Sequence, residues 1–130
     1  MRLKNLSLTY GTQIFKSFSE ESRIRIIFLL YHKQQLCISD LEAILDFTQT
    51  KTSRHISYLK NAGLVNARKL DQGVLYSIKE EVIDMRGQIF EFISKDSILQ
   101  RDLETFEIMY SNRELSLNKI EQKILRQETG

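Results

Sequence analysis

Two short β-rich runs inside an otherwise helical sequence most restrict what this chain can fold into. They are Leu64 to Leu70 and Val74 to Ile78, and the three residues Asp71-Gln72-Gly73 join them. A three-residue loop with glycine at the left-handed position is typical of a β-hairpin. The sequence therefore predicts a mainly α-helical fold that contains one β-hairpin.

Helical segments precede the hairpin. Apolar spacing predicts a short first helix over Gln13 to Phe18. Ser19 can cap a second, largely buried helix that ends near His32. Ser39-Asp40-Leu41-Glu42 has the pattern of a capping box, which predicts a third helix from Asp40 to about Leu45.

The fourth helix has the clearest boundaries. Thr48 can cap its first turn, it continues through Ala62, and Gly63 follows where a helix commonly ends in a left-handed residue. Only Asp46-Phe47 separates this helix from the third one. The closely joined pair and the following hairpin predict a winged helix-turn-helix.

The charge is unevenly distributed along the chain, although the net charge is only +2. Residues 1–80 contain 12 Lys/Arg and 7 Asp/Glu, a balance of +5, whereas residues 81–130 contain 7 and 10, a balance of −3. The stretch from Phe47 to Leu70 contains no acid. Its basic residues fit phosphate contacts, and by charge alone they fit a solvated surface equally well.

The first turns of the fourth helix carry side chains that can read DNA. A helix that enters a major groove needs hydrogen-bonding side chains there, and the apolar positions Ile56 and Leu59 begin one turn later. The predicted DNA contacts on this helix are Thr48, Gln49, Thr50, Lys51, Ser53 and Arg54, and those on the wing are Arg68, Lys69 and Gln72.

Four segments resemble the ArsR/SmtB family of transcriptional regulators. Phe18 to Ile26 resembles the family's A-D-P-T-R-L-R-I-L stretch without its proline, and Leu36 to Leu41 resembles its L-C-V-C-D-L segment. Thr48 to Ile56 is similar to the recognition pattern S-Q-P-T-V-S-R-H-L, and Tyr58 to Val65 to the following L-R-x-A-G-L-V. The resemblance implies the same groove and wing contacts. It also places His55 close to the DNA, where it either contacts a phosphate or has a structural role.

The C-terminal part returns to helical spacing from Glu80 onward. Its apolar residues form three sets: Val82, Met85, Ile89, Phe92 and Ile93; Leu99, Leu103, Phe106 and Tyr110; and Leu117, Ile120 and Ile124. Three sets exceed what one small core can bury. We therefore expect residues 1–80 to form the DNA-binding region and residues 81–130 long dimerisation helices of one compact domain, with a tail that frays beyond Arg126. The alternative is that these helices only cover the chain's own core.

The residues predict no metal site and no cofactor. The family's arsenic site uses two cysteines one residue apart, and the second is Ser39 here, whose hydroxyl is a poor ligand for soft metals. Residues 81–130 contain no histidine for the family's other metal site. Cys37 is a candidate redox or electrophile sensor, because a thiol near a helix N-terminus can have a lowered pKa, or else a small buried core residue.

Other function classes lack their sequence features. The sequence has no apolar run of roughly 18 to 20 residues for a membrane span and no secretory signal, so we expect a cytoplasmic protein. No paired carboxylates, phosphate loop or nucleophile motif points to an enzyme. The prediction is a homodimeric repressor that binds a palindromic operator in double-stranded DNA, with an unknown effector. The alternative is a winged-helix module for protein interaction without DNA binding.

Overall fold

The computed structural model describes residues 7–80 and 83–129. The helices of these residues are α1 (Leu8–Ser17), α2 (Glu21–Lys33), α3 (Ile38–Leu45), α4 (Gln49–Asn61), α5 (Ile83–Ile93), α6 (Ser97–Ser111) and α7 (Ser116–Thr129). Between α4 and α5, strands β1 (Val65–Leu70) and β2 (Gly73–Ile78) form a two-stranded antiparallel sheet. The mainly α fold with one hairpin is confirmed. In this part of the chain, no helix is both long and apolar enough to cross a membrane.

Helix α4 begins and ends where the sequence predicts. The Thr48 hydroxyl accepts a hydrogen bond from the amide of Lys51 at 3.1 Å, which caps the first turn. At the other end, Gly63 follows the last turn with a φ of 83°, which glycine adopts without strain. Tyr10 donates a hydrogen bond from its hydroxyl to the Gly63 carbonyl at 2.8 Å, so α1 is held against the end of α4.

Helix α3 begins two residues earlier than predicted, and the predicted Ser39–Glu42 capping box is wrong. Cys37 is the N-cap residue, and the Asp40 carboxylate accepts a hydrogen bond from the Cys37 amide at 3.2 Å. Ser39 lies inside the first turn, and its hydroxyl is 2.8 Å from the Ser116 hydroxyl. Asp40 therefore has the reciprocal capping role that the sequence pattern assigned to Glu42.

Other boundaries also differ from the predicted ones. Helix α1 starts at Leu8 rather than Gln13, and the residue that caps α2 is Glu20 rather than Ser19. At the C-terminus, α7 continues to Thr129, so the expected fraying beyond Arg126 is wrong.

The hairpin turn has two residues, Asp71 and Gln72, rather than the three expected. Gly73 is the first residue of β2 and pairs with Leu70. Its φ of 149° is unusual for residues with a side chain, so glycine is still the residue that suits this position. The hairpin projects from the domain, because the residues from Asn66 to Lys69 are all exposed.

Helix α2 lies at the centre of the core. Five consecutive side chains from Ile26 to Leu30 are almost completely buried. The second and third C-terminal sets also bury residues within the chain, namely Leu99, Phe106, Leu117 and Ile120. In the first set Val82 and the Met85 side chain lie outside the described residues. Phe90 is buried in place of the predicted Phe92, which is exposed.

Two buried carboxylates hold the C-terminal helices to the rest of the domain. Asp102 of α6 accepts two hydrogen bonds of 2.9 Å from the guanidinium of Arg25 on α2. Asp40 of α3 accepts hydrogen bonds from the first amides of α7, at 2.6 Å from Ser116 and 3.1 Å from Leu117. Helices α6 and α7 are thus fixed against the two helices that precede α4.

Candidate nucleic-acid interface

The side chains predicted to contact DNA lie on α4 and the hairpin. We call them the recognition surface; its members are Thr48, Gln49, Thr50, Lys51, Ser53 and Arg54 on the helix and Arg68, Lys69 and Gln72 on the hairpin. Six are exposed, and Lys51, Ser53 and Gln72 are half-buried. A helix and a flanking hairpin with these side chains can contact both base edges and phosphates.

The opposite face of α4 fixes how the recognition surface is presented. Ile56 and Leu59 are buried, as the sequence predicts. Thr52 is also buried, and its hydroxyl donates a hydrogen bond to the Thr48 carbonyl at 2.8 Å. With one face anchored in the core, the helix has a single orientation in which its polar first turns face outward.

The exposed polar face of α4 extends further than predicted. Ser57 and Asn61 are exposed, and they follow Thr50 and Arg54 at spacings of three to four residues along the helix. The DNA contacts predicted on α4 end at His55, although helical periodicity from Thr50 indicates both residues. They add hydrogen-bonding groups to the C-terminal half of the same face.

His55 lies in the core, which favours its structural role over a phosphate contact. It is 2% exposed, and its Nε2 atom is 3.1 Å from a carboxylate oxygen of Glu20. Burial lowers the pKa of His55; Glu20 opposes this effect, and the cations Arg54, Arg23 and Lys51 add to it. A neutral imidazole in this place carries no charge for a phosphate.

Lys51 belongs to the recognition surface and also contacts the domain interior. Its Nζ atom is 4.1 Å from the centre of the Phe47 ring, a cation–π contact. The guanidinium carbon of Arg25 is 5.0 Å from the centre of the same ring. The aromatic ring thereby connects the first turn of α4, through Arg25, to Asp102 of α6.

A second cation stacks on the inner side of α4. The guanidinium of Arg23 lies 4.1 Å from the centre of the Tyr58 ring. The same group donates hydrogen bonds to the carbonyls of Ser17 and Lys16 and to the Glu20 carboxylate. Arg23 therefore ties the α1–α2 connection to α4 and is not part of the recognition surface.

Cys37 is buried at the start of α3, and its pKa does not follow the expectation of a lowered value. Burial raises the pKa of the thiol to about 11, and the neighbouring Asp40 carboxylate contributes in the same direction. Burial likewise raises the pKa of Asp40, and its hydrogen bonds from backbone amides partly offset this effect. Within residues 7–80 and 83–129, no three His, Cys, Asp or Glu side chains lie together as a metal site would require.

Comparison with known proteins relates the chain to bacterial regulators. A family model described as "Bacterial regulatory protein, arsR family" matches residues 20–67. The arsenical resistance operon repressor of Escherichia coli (strain K12) is 35% identical over 86 residues, which are 66% of this chain and 74% of that protein. The cadmium resistance transcriptional regulatory protein CadC of Listeria innocua is 35% identical over 78 residues, which are 60% of this chain and 66% of that protein, just under two thirds of its length.

Solved structures show a similar fold. HlyU from Vibrio cholerae N16961 superposes with a TM-score of 0.61 at 28% identity, covering 66% of this chain and 94% of that one. The homodimeric winged helix-turn-helix DNA-binding domain of Mb0332 from Mycobacterium bovis has a TM-score of 0.59 at 20% identity, covering 68% of this chain and 82% of that one. The predicted winged-helix architecture is confirmed.

Proposed function

The chain belongs to the arsR family of bacterial regulatory proteins, and from this premise we propose that it is a homodimeric transcriptional repressor that binds double-stranded DNA through the recognition surface. Membership also makes it a regulatory protein rather than an enzyme. A repressor of this kind acts where the chromosome is, so its proposed location is the cytoplasm. Two symmetry-related recognition helices, roughly 34 Å apart, would require a palindromic operator.

The observation that carries the proposal is the exposed, acid-free face at the start of α4. Gln49, Thr50 and Arg54 are exposed there, and the amide and guanidinium groups are those that contact adenine and guanine edges in the major groove. Arg68 and Lys69 of the hairpin are exposed as well, where they can contact phosphates. We assign base reading to the helix and backbone contacts to the hairpin.

The same observation disfavours the alternative function of a protein-interaction module. That function predicts that the face from Lys51 to Arg54 is covered by another subunit or by the C-terminal tail. In the described chain, α7 packs against α3 through Asp40 and leaves Gln49, Thr50 and Arg54 exposed. Within the described residues of one chain, these three side chains are not covered by the C-terminal helices, which favours the DNA-binding function.

Selection from random duplexes followed by an affinity series tests the function. We expect the selected sequences to be palindromic and the logarithm of the binding constant to fall linearly with the logarithm of salt concentration. Arg54→Ala should weaken binding to the selected duplex by about tenfold or more. Lys123→Ala, which removes an exposed cation from α7, should leave affinity within about twofold. If no duplex is selected, or if binding does not depend on salt, the proposed function is wrong.

The proposed dimer requires a surface of exposed apolar side chains. In the described residues the large exposed hydrophobic side chains are Leu8, Phe15, Phe92, Ile98, Ile108 and Leu125. Leu8 and Phe15 lie two turns apart on one face of α1, and Ile108 and Leu125 lie on the C-terminal helices. We propose that α1 and the C-terminal region, residues 81–130, form the interface through Leu8, Phe15, Ile108 and Leu125, since these side chains cost free energy when they face water.

Light scattering on the full chain tests the dimer. The wild type should have the mass of two chains. Phe15→Ser should shift it toward the 15.3 kDa monomer while the helical circular dichroism is kept. If the wild type stays monomeric at micromolar concentration, the proposed dimer is wrong, and so is the palindromic operator. The proposal that one subunit binds a duplex is unaffected by that result.

A further inference from the structure

A groove of about 580 Å³ runs between α2 and the segment in which α5 is followed by α6. One wall is α2 with Arg25, and the second is the α5–α6 connection with Phe92, Lys95 and Ile98. Lys51, from the first turn of α4, lies at the end of the groove. Its size is within the range of about 300 to 1,000 Å³ that is usual for small-molecule sites.

The walls of the groove combine apolar with charged side chains, and part of the apolar surface is uncovered. Phe92 is 89% exposed and Ile98 is 40% exposed, whereas the neighbouring Leu99 is buried. Two adjacent exposed side chains of this size are stabilised when an apolar body covers them. The remaining exposed hydrophobic side chains, assigned above to the dimer, do not line this groove.

The charged side chains around the groove determine which charge a bound ligand can carry. Lys51 and Lys95 form no ion pair with another described residue, whereas Arg25 is paired with Asp102. Of the two acids in the lining, Asp96 accepts hydrogen bonds from the amides of Ile98 and Leu99, and Glu21 lies exposed at the start of α2. The charged groups open to a ligand are thus Lys51, Lys95 and the exposed Glu21, and the excess of positive charge favours an anion.

We propose that this groove is an effector site for a small organic anion with an apolar body, and that the anion competes with DNA for Lys51. The apolar body lies against Phe92 and Ile98, and the anionic group pairs with Lys51 and Lys95. The competition rests on the proposed function, because Lys51 also belongs to the recognition surface. When the Lys51 ammonium pairs with the ligand, it cannot contact the duplex. The ligand therefore lowers the affinity for DNA, and DNA lowers the affinity for the ligand by the same factor.

The ligand site is tested without DNA, using the full chain and two fluorescent probes. 1-Anilinonaphthalene-8-sulfonate is an apolar anion, and N-phenyl-1-naphthylamine is its uncharged relative. The Lys95→Gln variant should bind the sulfonate about threefold more weakly and the amine unchanged. Lys123→Gln, outside the groove, should bind both as the wild type does.

A second pair of variants tests the apolar wall. Phe92→Ser should weaken both probes by about fivefold or more, because it removes contact area that they share. Ala43→Ser, at an exposed position of α3 outside both the groove and the proposed dimer interface, should leave both unchanged. Phe92 is on the surface, so the variant keeps the fold, and circular dichroism checks it. If Lys95→Gln or Phe92→Ser binds the probes like the wild type, the groove is not the site. If Phe92→Ser instead converts a dimer to a monomer, the occupant is a second copy of this chain.

Decanoate and decanol then test the competition. Decanoate should displace the sulfonate and weaken binding to the selected duplex, and Lys95→Gln should need about threefold more decanoate for the same effect. Decanol should not weaken DNA binding. If decanoate displaces the sulfonate without changing the affinity for DNA, the proposed competition is wrong, and the groove is a ligand site without an effect on DNA binding. If the protein binds no duplex, the proposed function is wrong. The probe titrations still determine whether the groove binds an anion, because they use no DNA.

Discussion

The carboxylate of Asp40 accepts a hydrogen bond of 2.6 Å from the backbone amide of Ser116, which is 76 residues further along the chain. The same side chain accepts hydrogen bonds from the amides of Leu117 and Cys37 and is 1% exposed. One buried carboxylate thus caps the first turn of α3 and the first turn of α7. The C-terminal helix is attached to the helix-turn-helix by its backbone.

Replacing Asp40 should therefore loosen α7 and lower stability. In Asp40→Asn one oxygen becomes an NH₂ group that faces amide donors, and each buried donor left unpaired costs about 1 to 3 kcal/mol. We expect the free energy of unfolding to fall by about 2 kcal/mol and the Ser116 amide to exchange its hydrogen faster. Urea unfolding and hydrogen-exchange mass spectrometry measure the two effects. Asp71→Asn, at the exposed hairpin turn, is the control, and equal stability of both variants would show that the Asp40 bonds contribute nothing.

Gly63→Ala should destabilise the protein by about 2 kcal/mol, because a left-handed backbone costs an L-residue roughly 1 to 2 kcal/mol. The added Cβ would also lie 2.7 Å from Cε1 of Tyr10. In a double-mutant cycle with Tyr10→Ala, the two changes should be less than additive, since the truncated side chain removes the collision. Gly11→Ala is the matched control. Among the described residues, none outside the local helix backbone lies within 4 Å of its new Cβ, so this helical substitution should stabilise by about 0.5 to 1 kcal/mol.

His55 should make stability fall in weak acid. Burial lowers its pKa in the folded state, so the unfolded chain, with an ordinary pKa of about 6.5, binds the proton more tightly. The contribution of neutral His55 to the free energy of unfolding is fully present above about pH 6.5 and is lost as the pH falls through the folded-state pKa. Urea unfolding at pH 7.5 and 5.5 should show a smaller loss for His55→Gln than for the wild type. A His55→Gln variant that loses as much stability as the wild type contradicts the prediction.

Cys37 should react slowly in the native protein at neutral pH. Burial raises the pKa of its thiol to about 11, and only the thiolate is a nucleophile. At pH 7.5 we expect iodoacetamide to modify the native thiol about 100-fold more slowly than the urea-unfolded one, with a rate that increases up to about pH 11. Mass spectrometry measures both rates, and Cys37→Ser gives the background. Equal rates in native and unfolded protein would support the sensor role instead.

Local patterns were sufficient for the elements that form the candidate interface. The cap at Thr48, the glycine at position 63 and the spacing of Ile56 and Leu59 determine α4 within its own sequence, and the structure agrees with all of them. The hairpin was predicted for the same reason. Short-range hydrogen bonds and apolar periodicity leave clear traces in sequence.

Contacts between distant residues were not predictable in this way. The start of α3 depends on Asp40, whose partners include Ser116 and Leu117, and the choice of Phe90 over Phe92 as the buried ring depends on which neighbours α5 meets. His55 is buried because Glu20 and the core surround it, although its motif places it among DNA contacts. Such pairings follow from tertiary packing, and a single sequence contains no record of them.

The root of the hairpin is joined to the loop between α2 and α3. Tyr76 of β2 and Leu36 exchange two backbone hydrogen bonds, at 3.1 Å and 2.8 Å. Through this single bridge the loop lies beside β2 and helps to fix the position of the hairpin relative to the rest of the domain. In the proposed complex with DNA, lengthening it by a residue would move Arg68 and Lys69 along the duplex relative to α4, which changes the phosphates that the hairpin contacts and keeps the bases that α4 contacts.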